Sequence, residues 1–504
     1  MQEVRVRFAP SPTGALHIGG VRTALFNYFF AKKHHGKFLI RIEDTDQNRY
    51  VAGAEQYIFD ALRWVGINAD ESAEVGGNYA PYRQSERGEI YKKYCNEILK
   101  TDFAYLAFDS NEELDQIRKE YEQQGKVFSY GIFTRNLMKN SLTLHPNEVE
   151  KLLQENVPYV VRFKIPENRT IVVKDTIRGT FTVESDTLDD KVLYKADGMP
   201  TYHFANVIDD FEMKISHVIR GEEWLPSLPL HLLLYEAMNW NAPQFAHLPL
   251  ILKPEGNGKL SKRDGDKYGF PVFPLQFTDA EGKTALGYKE FGYFPEAVVN
   301  LLALIGWNNK DNQEIFTLDE LIEKFDLDEV QKSGARFNPE KAVWFNHIYL
   351  QQKSNQELTE NLQAILKEKK LPISDEKDSK VIALVKERLH FVTEVLQDNE
   401  KGKFFYVEPK IFAETDIKKA IKEDTKALLS IFEETLETVD FQEDKIQNHL
   451  KEFAEIQQIG LGKIMMPLRL SLVGEMKGPE IPKIMEILGK EESKKRIRFL
   501  LKEI

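Results

Sequence analysis

The sequence predicts an α/β chain: a doubly wound parallel sheet, split by an inserted α+β module and followed by an all-α C-terminal region. Three observations carry this. Segment 4–10 alternates Val4, Val6 and Phe8 against Arg5 and Arg7, the period of a strand, and strand and helix patterns then alternate through residue 67. Between about 100 and 195 the texture changes to short β-rich pieces with turns between them. From about 290 onward nearly every segment has helical spacing rich in Lys, Glu and Leu.

Taken in order, the first strand runs into "APSPTGALHIGG", and the helix "GGVRTALFNYFFAKKHHG" stops at Gly36. "KFLIRIEDTD" is a short apolar strand ending in acids, and "VAGAEQYIFDALRWVGI" is a second helix. The insert contains "VPYVVRFKIP", "TIVVKDTIRGTFTVES" and "KVLYKADG". The α/β texture returns with "PTYHFANVIDDF", the strand "KISHVIRGEEW", the helix "PLHLLLYEAMNW" and the run "HLPLILK". The expected divisions are 1–100 and 196–254 for the two halves of the sheet domain, 101–195 for the insert, 255–325 for a loop and connecting region, and 326–504 for the helical domain.

With 504 residues the chain can hold several cores. A net charge of −12 argues against blanket attraction to polyanions, but a local basic groove would still accept nucleic acid. The one cysteine, Cys95, excludes an internal disulfide and a cysteine-rich zinc site and suits a reducing compartment. "MQEVRVRF" has no apolar core, and no stretch approaches ~18 uncharged apolar residues, so a soluble cytoplasmic protein without membrane association is expected.

Two stretches carry chemistry. In "VRFAPSPTGALHIGG", Pro10, Pro12 and Gly14 impose irregular backbone after a strand, and a helix N-terminus follows, where amides and dipole favour an anion. Gly19 and Gly20 let a bulky ligand approach, and His17 can donate to a phosphate oxygen as charge develops. In "GNGKLSKRDGD", Lys259 and Lys262 sit in a glycine-flanked polar loop, suited to following a moving pyrophosphate. Alone, the first suits a glycine-rich turn and the second a solvated basic loop; together they read as a triphosphate site.

"HIGG" at 17–20 and "KLSKR" at 259–263 resemble the HIGH and KMSKS signatures of class I aminoacyl-tRNA synthetases, in order and spacing and with a β-rich insert between them. "FAPSPTGALHIGG", "RIEDTD", "YRQSER", "PTYHFANVIDD", "VIRGEEWLPS" and "NPEKAVWFNHIYL" resemble the bacterial type of glutamyl-tRNA synthetase over essentially the whole chain. Gly20 stands where the generic signature has its last histidine, and Arg263 where it has serine. The resemblance implies a class I Rossmann-like catalytic domain and a helical anticodon-binding domain. It also implies ATP-dependent formation of glutamyl-adenylate, transfer to the 3′ end of tRNA-Glu, a need for bound tRNA during activation, and a monomer.

Glutamate brings two carboxylates and one ammonium. Arg7 lies near the end of the first strand, Arg220 ends a later strand and Glu43 follows "FLIRI", so all three are expected on the rim where open α/β sheets bind ligands. Arg220 with Arg7 would hold the carboxylates in forks, and Glu43 the ammonium. By resemblance Ala9 (main chain), Ser11, Tyr202 and Asn206 line the same pocket, and Glu223 approaches ATP. Arg83 and Arg87, four apart, are assigned either to the tRNA acceptor end or to a salt-bridged helix. Mg²⁺ is expected on the triphosphate, and no zinc, because only Cys95 could ligate it. A nucleotidyltransferase outside translation and a non-catalytic RNA-binding protein are the rival readings. The helical tail argues against the first, and the retained His17, Lys259 and Lys262 against the second.

Overall fold

The computed structural model describes residues 3–279 and 281–504. The chain divides into one unit of residues 1–290 with 298–339 and a second of 291–297 with 340–504. The helical domain expected over 326–504 lies in the second unit from Glu340 onward. The intervening segment stays with the first unit because Ala335–Arg336 pairs in parallel with Ile251–Leu252.

In the first unit β1 (Arg5–Phe8) leads into α1 (Ile18–Lys33) and β2 (Lys37–Ile40), which pairs in parallel with β1 from Arg5↔Lys37 to Phe8↔Ile40. α1 buries Ile18, Val21, Leu25, Phe26 and Phe29, so it packs on more than one side. α2 (Ala54–Trp64) and α3 (Gly88–Ile98) follow. The insert holds β3 (Ala104–Ala107), α4 (Asn111–Gln123), α5 (Pro146–Gln154), β4 (Val160–Phe163), β5 (Thr170–Asp175), β6 (Gly179–Glu184) and β7 (Val192–Tyr194). Strands β3, β4 and β7 form an antiparallel sheet, and β5 and β6 a hairpin. In β5 Ile171, Val173 and Asp175 are buried while Thr170, Val172 and Lys174 are exposed, the alternation of a strand with one packed face.

The chain then returns through α6 (Tyr202–Glu212), β8 (His217–Gly221), α7 (Leu228–Ala237), β9 (Gln244–Leu248) and β10 (Ile251–Leu252). β8 and β9 pair in parallel, with Arg220 opposite His247. The Ser216 amide donates to the Arg5 carbonyl at 2.9 Å, which joins this pair to the edge of β1. The two halves of the parallel arrangement, far apart in sequence, thus present their carboxyl ends together. α8 (Lys262–Tyr268) starts at Ser261, whose amide and hydroxyl both donate to the Asp264 carboxylate.

The second unit is helical. Helix Asn355–Glu368 buries Leu358, Leu362 and Leu366 at four-residue spacing, in one core with Val381, Ile382 and Val385 of helix Asp375–Val385. Ser354 and Glu357 cap its start reciprocally. The final helical stretch, Ile481–Glu503, breaks at Gly489, whose φ of 78° belongs to the left-handed region. No helix among the described residues is long and apolar enough to cross a membrane.

Candidate functional site

At the carboxyl ends of β1 and β8 a cavity of about 290 Å³ opens. Of the residues expected to bind ATP or glutamate, only Lys262 does not line it. Lys259 and Lys262 were expected to act from one loop, but Ser261 starts α8 between them, so Lys262 belongs to a helix.

His17 caps α1: its Nδ1 accepts the Gly19 amide at 3.1 Å, which leaves the proton of the neutral ring on Nε2. That Nε2 is buried and has no hydrogen-bond partner among the described residues. Burial, and then the nearby Lys259, hold the His17 pKa down to about 4, so at neutral pH the ring is an uncharged donor. The expected cradle of free amides is not present. Ile18 N–H donates to Val272 O at 3.0 Å, Gly19 N–H to the His17 ring, and Gly20 N–H to His17 O at 2.8 Å. A Cβ at Gly20 would meet Leu16 Cδ1 at 2.6 Å, so Gly20 serves the packing of Leu16, while a Cβ at Gly19 would meet only His17 Nδ1, at 3.5 Å.

Lys259 Nζ lies 2.9 Å from Glu223 Oε1. Burial pushes the Glu223 carboxyl up, and the Lys259 ammonium more than reverses this. Glu223 folds back over Gly221, where an added Cβ would stand 2.1 Å from Oε2, so Gly221 is required for this carboxylate to reach the cavity. Arg22, which the sequence reading missed, also lines the wall. Its Nη1 donates to Ile305 O at 3.1 Å and its Nη2 to Pro249 O, and burial lowers its pKa to about 10, so it stays charged.

At the other end one edge of Arg7 is already taken. Its Nε and Nη2 donate to Asp210 at 2.9 and 3.2 Å, which leaves the Nη1–H groups and the second Nη2–H, the end-on fork, open among the described contacts. Arg41 shares Asp210 at 2.7 Å and donates to Glu43 Oε1 at 3.1 Å, where Asn206 Nδ2 also donates at 3.0 Å. Glu43 is thus held by one oxygen with Oε2 left over, and burial raises its pKa despite Arg41 and Arg7.

Arg220 is different. It is buried, and among the described residues no carboxylate lies within ion-pair distance. It donates to neutral acceptors: His247 Nε2 at 3.0 Å, the Tyr202 hydroxyl at 3.3 Å and Trp224 O at 3.4 Å. Burial, with little anionic compensation, lowers its pKa. A desolvated cation beside an open cavity is a site for an anion. Tyr202 stacks on Trp224 at 4.2 Å, and Ala9 and Ser11 complete this wall. A second cavity, of about 370 Å³, adjoins the first and shares Ser11, Glu43, Tyr202 and Trp224 with it.

Arg83 and Arg87 do not share a helix face. Arg83 pairs with Glu55 and Glu86, while Arg87 is buried on Asp209 at 2.7 Å and on the carbonyls of Tyr79 and Pro81. Both follow the salt-bridged alternative. Among the described residues no group of three or more His, Cys, Asp or Glu is arranged to hold a metal ion.

The family described as tRNA synthetases class I (E and Q), catalytic domain, matches residues 3–344, and an anticodon binding domain matches residues 356–501. The chain is 53% identical over 498 residues, 98% of each chain, to the glutamate–tRNA ligase of Christiangramia forsetii. It is equally similar, over 497 residues, to that of Flavobacterium psychrophilum. The crystal structure of a glutamate tRNA ligase from Elizabethkingia meningosepticum in complex with its amino acid superposes with a TM-score of 0.96 at 57% identity, covering 99% of both chains. With catalytic and anticodon-binding domains matched and near-complete coverage by such relatives, the chain belongs to the glutamate–tRNA ligases, a family of class I aminoacyl-tRNA synthetases.

Proposed function

We propose that the protein activates L-glutamate with ATP, taken as its magnesium complex, and transfers the glutamyl group to the 3′ end of tRNA-Glu. The observation that carries the amino-acid choice is Arg220: a buried guanidinium with no carboxylate partner, in the same cavity as Glu43. In this reading Arg220 takes the side-chain carboxylate, the open Nη1/Nη2 end of Arg7 takes the other carboxylate, and Glu43 Oε2 takes the ammonium. Tyr202, Asn206, Ala9 and Ser11 shape the pocket around them.

The triphosphate lies at the start of α1. The glutamate α-carboxylate attacks the α-phosphorus, and pyrophosphate leaves. His17 Nε2–H donates to phosphate oxygens as negative charge shifts onto them, while Lys259 exchanges Glu223 for the leaving pyrophosphate. Lys262, at the first position of α8, joins when that helix start moves toward the cavity on binding. Gly19 leaves room for the nucleotide, and Glu223, once released, can turn to ribose or adenine. No protein nucleophile is needed: positioning and charge stabilisation supply the rate. The adjoining cavity gives the tRNA terminal ribose a way to the activated carbonyl beside Glu43. The helical second unit would read the anticodon. A cytoplasmic monomer is the setting this reading assumes.

Transfer of labelled glutamate, with ATP, to tRNA-Glu and tRNA-Gln in parallel tests this. Charging of tRNA-Glu is expected. Charging of both would extend the substrate range, and charging of neither by folded protein with native tRNA would overturn the proposal.

A further inference from the structure

The Nε edge of Arg220 is held from outside the ligand cavity, while its Nη atoms bond to Tyr202 and Trp224 in the cavity wall. His247 lies opposite it in the β8–β9 register and accepts its Nε–H at 3.0 Å through Nε2. That bond needs the Nε2 lone pair, so the His247 proton is on Nδ1, 2.7 Å from Asp175 Oδ2. Asp175 ends the buried face of β5, and its Oδ1 is held by the amides of Ile177 and Arg178 at 3.0 and 2.8 Å. Asp175 and His247 are 6% and 0% exposed, so solvent does not compete for these bonds.

The contrast is with Arg7. Asp210 pairs directly with the Nε edge of Arg7, sharing its charge with Arg41. At Arg220 the nearest anion in this chain of bonds stands one imidazole away. We propose that Asp175 and His247 are positioning residues that fix the Arg220 guanidinium by its Nε edge and keep its charge open to the substrate's side-chain carboxylate, favouring glutamate over glutamine. The inference rests on the reading that Arg220 binds that carboxylate.

Asp175→Asn should invert the histidine tautomer. The amide keeps an oxygen for Ile177 and Arg178 but presents N–H to His247 Nδ1, which drives the proton to Nε2, against the Arg220 N–H. The glutamate KM should then rise about tenfold or more, with the ATP KM nearly unchanged, as expected for a misdirected charge-assisted bond. His247→Gln supplies an acceptor that needs no tautomer control. In that background Asp175→Asn should add no further rise in glutamate KM. An equal penalty in both backgrounds, or parallel losses for ATP and glutamate, would overturn the relay. Nitrogen NMR of the histidine-labelled wild-type protein gives a readout that survives a poorly folding variant: the proton on Nδ1 of His247 supports the relay, and on Nε2 contradicts it. Arg220→Ala, measured alongside, separates the two readings. An unchanged glutamate KM there sinks the site assignment and the relay with it. A raised glutamate KM, with no dependence of Asp175→Asn on the His247 background, sinks the relay alone.

Discussion

His17 joins the reaction without a charge. Its cap to Gly19 fixes the tautomer and its burial fixes the protonation state, so Nε2–H is presented as a donor at every pH above about 4. Adenylate formation should therefore show no acid limb from His17 between about pH 5 and 7, although a free imidazole titrates near 6.5. His17→Ala should lower kcat for adenylate formation by about 10²–10³, with little change in either KM, the usual effect of losing one donor to developing charge. Pre-steady-state pyrophosphate release checks both expectations. A limb near pH 6.5 that His17→Asn abolishes would show a charged histidine at work.

Lys259 stands on a segment whose backbone is held from outside. Arg336 Nη1 donates to the carbonyls of Lys253, Pro254 and Gly256 at 2.8, 3.0 and 2.8 Å, and Lys253 and Leu260 close the loop through bonds to Gly258 and Ile251. Arg336→Ala should release this loop and lower kcat for activation about tenfold, from a less well-placed Lys259, with the glutamate KM unchanged. A rise in glutamate KM instead would tie the loop to the amino-acid end of the cavity.

Strand ends were legible in the sequence because a short alternating or apolar run that gives way to charged residues shows where the sheet's rim lies. That is how Arg7, Glu43 and Arg220 come together. Local spacing misled where an element boundary fell between two residues: Ser261 turns Lys262 onto a helix, and the short turn Gln84–Glu86 separates Arg83 from Arg87. The partners that tune the site were invisible for another reason. Asp175 and His247 are 72 residues apart, and Arg7 and Asp210 are 203 apart, so only the paired strands and packed helices bring them together. Of the open amides expected at the start of α1, that of Ile18 is taken by Val272, a contact from a distant segment that no local pattern announces, and those of Gly19 and Gly20 by His17 itself.

Around the cavity the catalytic unit stores histidines that must stay neutral. Burial, then Lys259, holds His17 down to about 4. Burial, then Lys191 and Arg220, does the same to His203, and burial puts His231 well below its ordinary value. Their folded pKa values lie below the unfolded value near 6.5, so their contribution to stability is complete above pH 6.5 and is lost as pH falls toward 4. His17 and His203 can each account for up to about 3 kcal/mol. Urea denaturation of the catalytic unit's transition at pH 7.5, 6 and 5 should show a progressive fall in stability, whereas a flat profile would contradict this. Glu43, whose pKa is raised by burial, acts in the opposite sense and offsets part of the loss.

The central claim is that one unpaired guanidinium selects the amino acid. The most direct measurement is the ratio of kcat/KM for glutamate over glutamine in tRNA charging, for the wild-type protein and for Arg220→Ala. The account predicts strong preference for glutamate in the wild type and a ratio reduced about 30- to 1000-fold by the substitution, from the roughly 2–4 kcal/mol of a lost charge-assisted bond, with the ATP KM unchanged. A ratio that survives Arg220→Ala would contradict it.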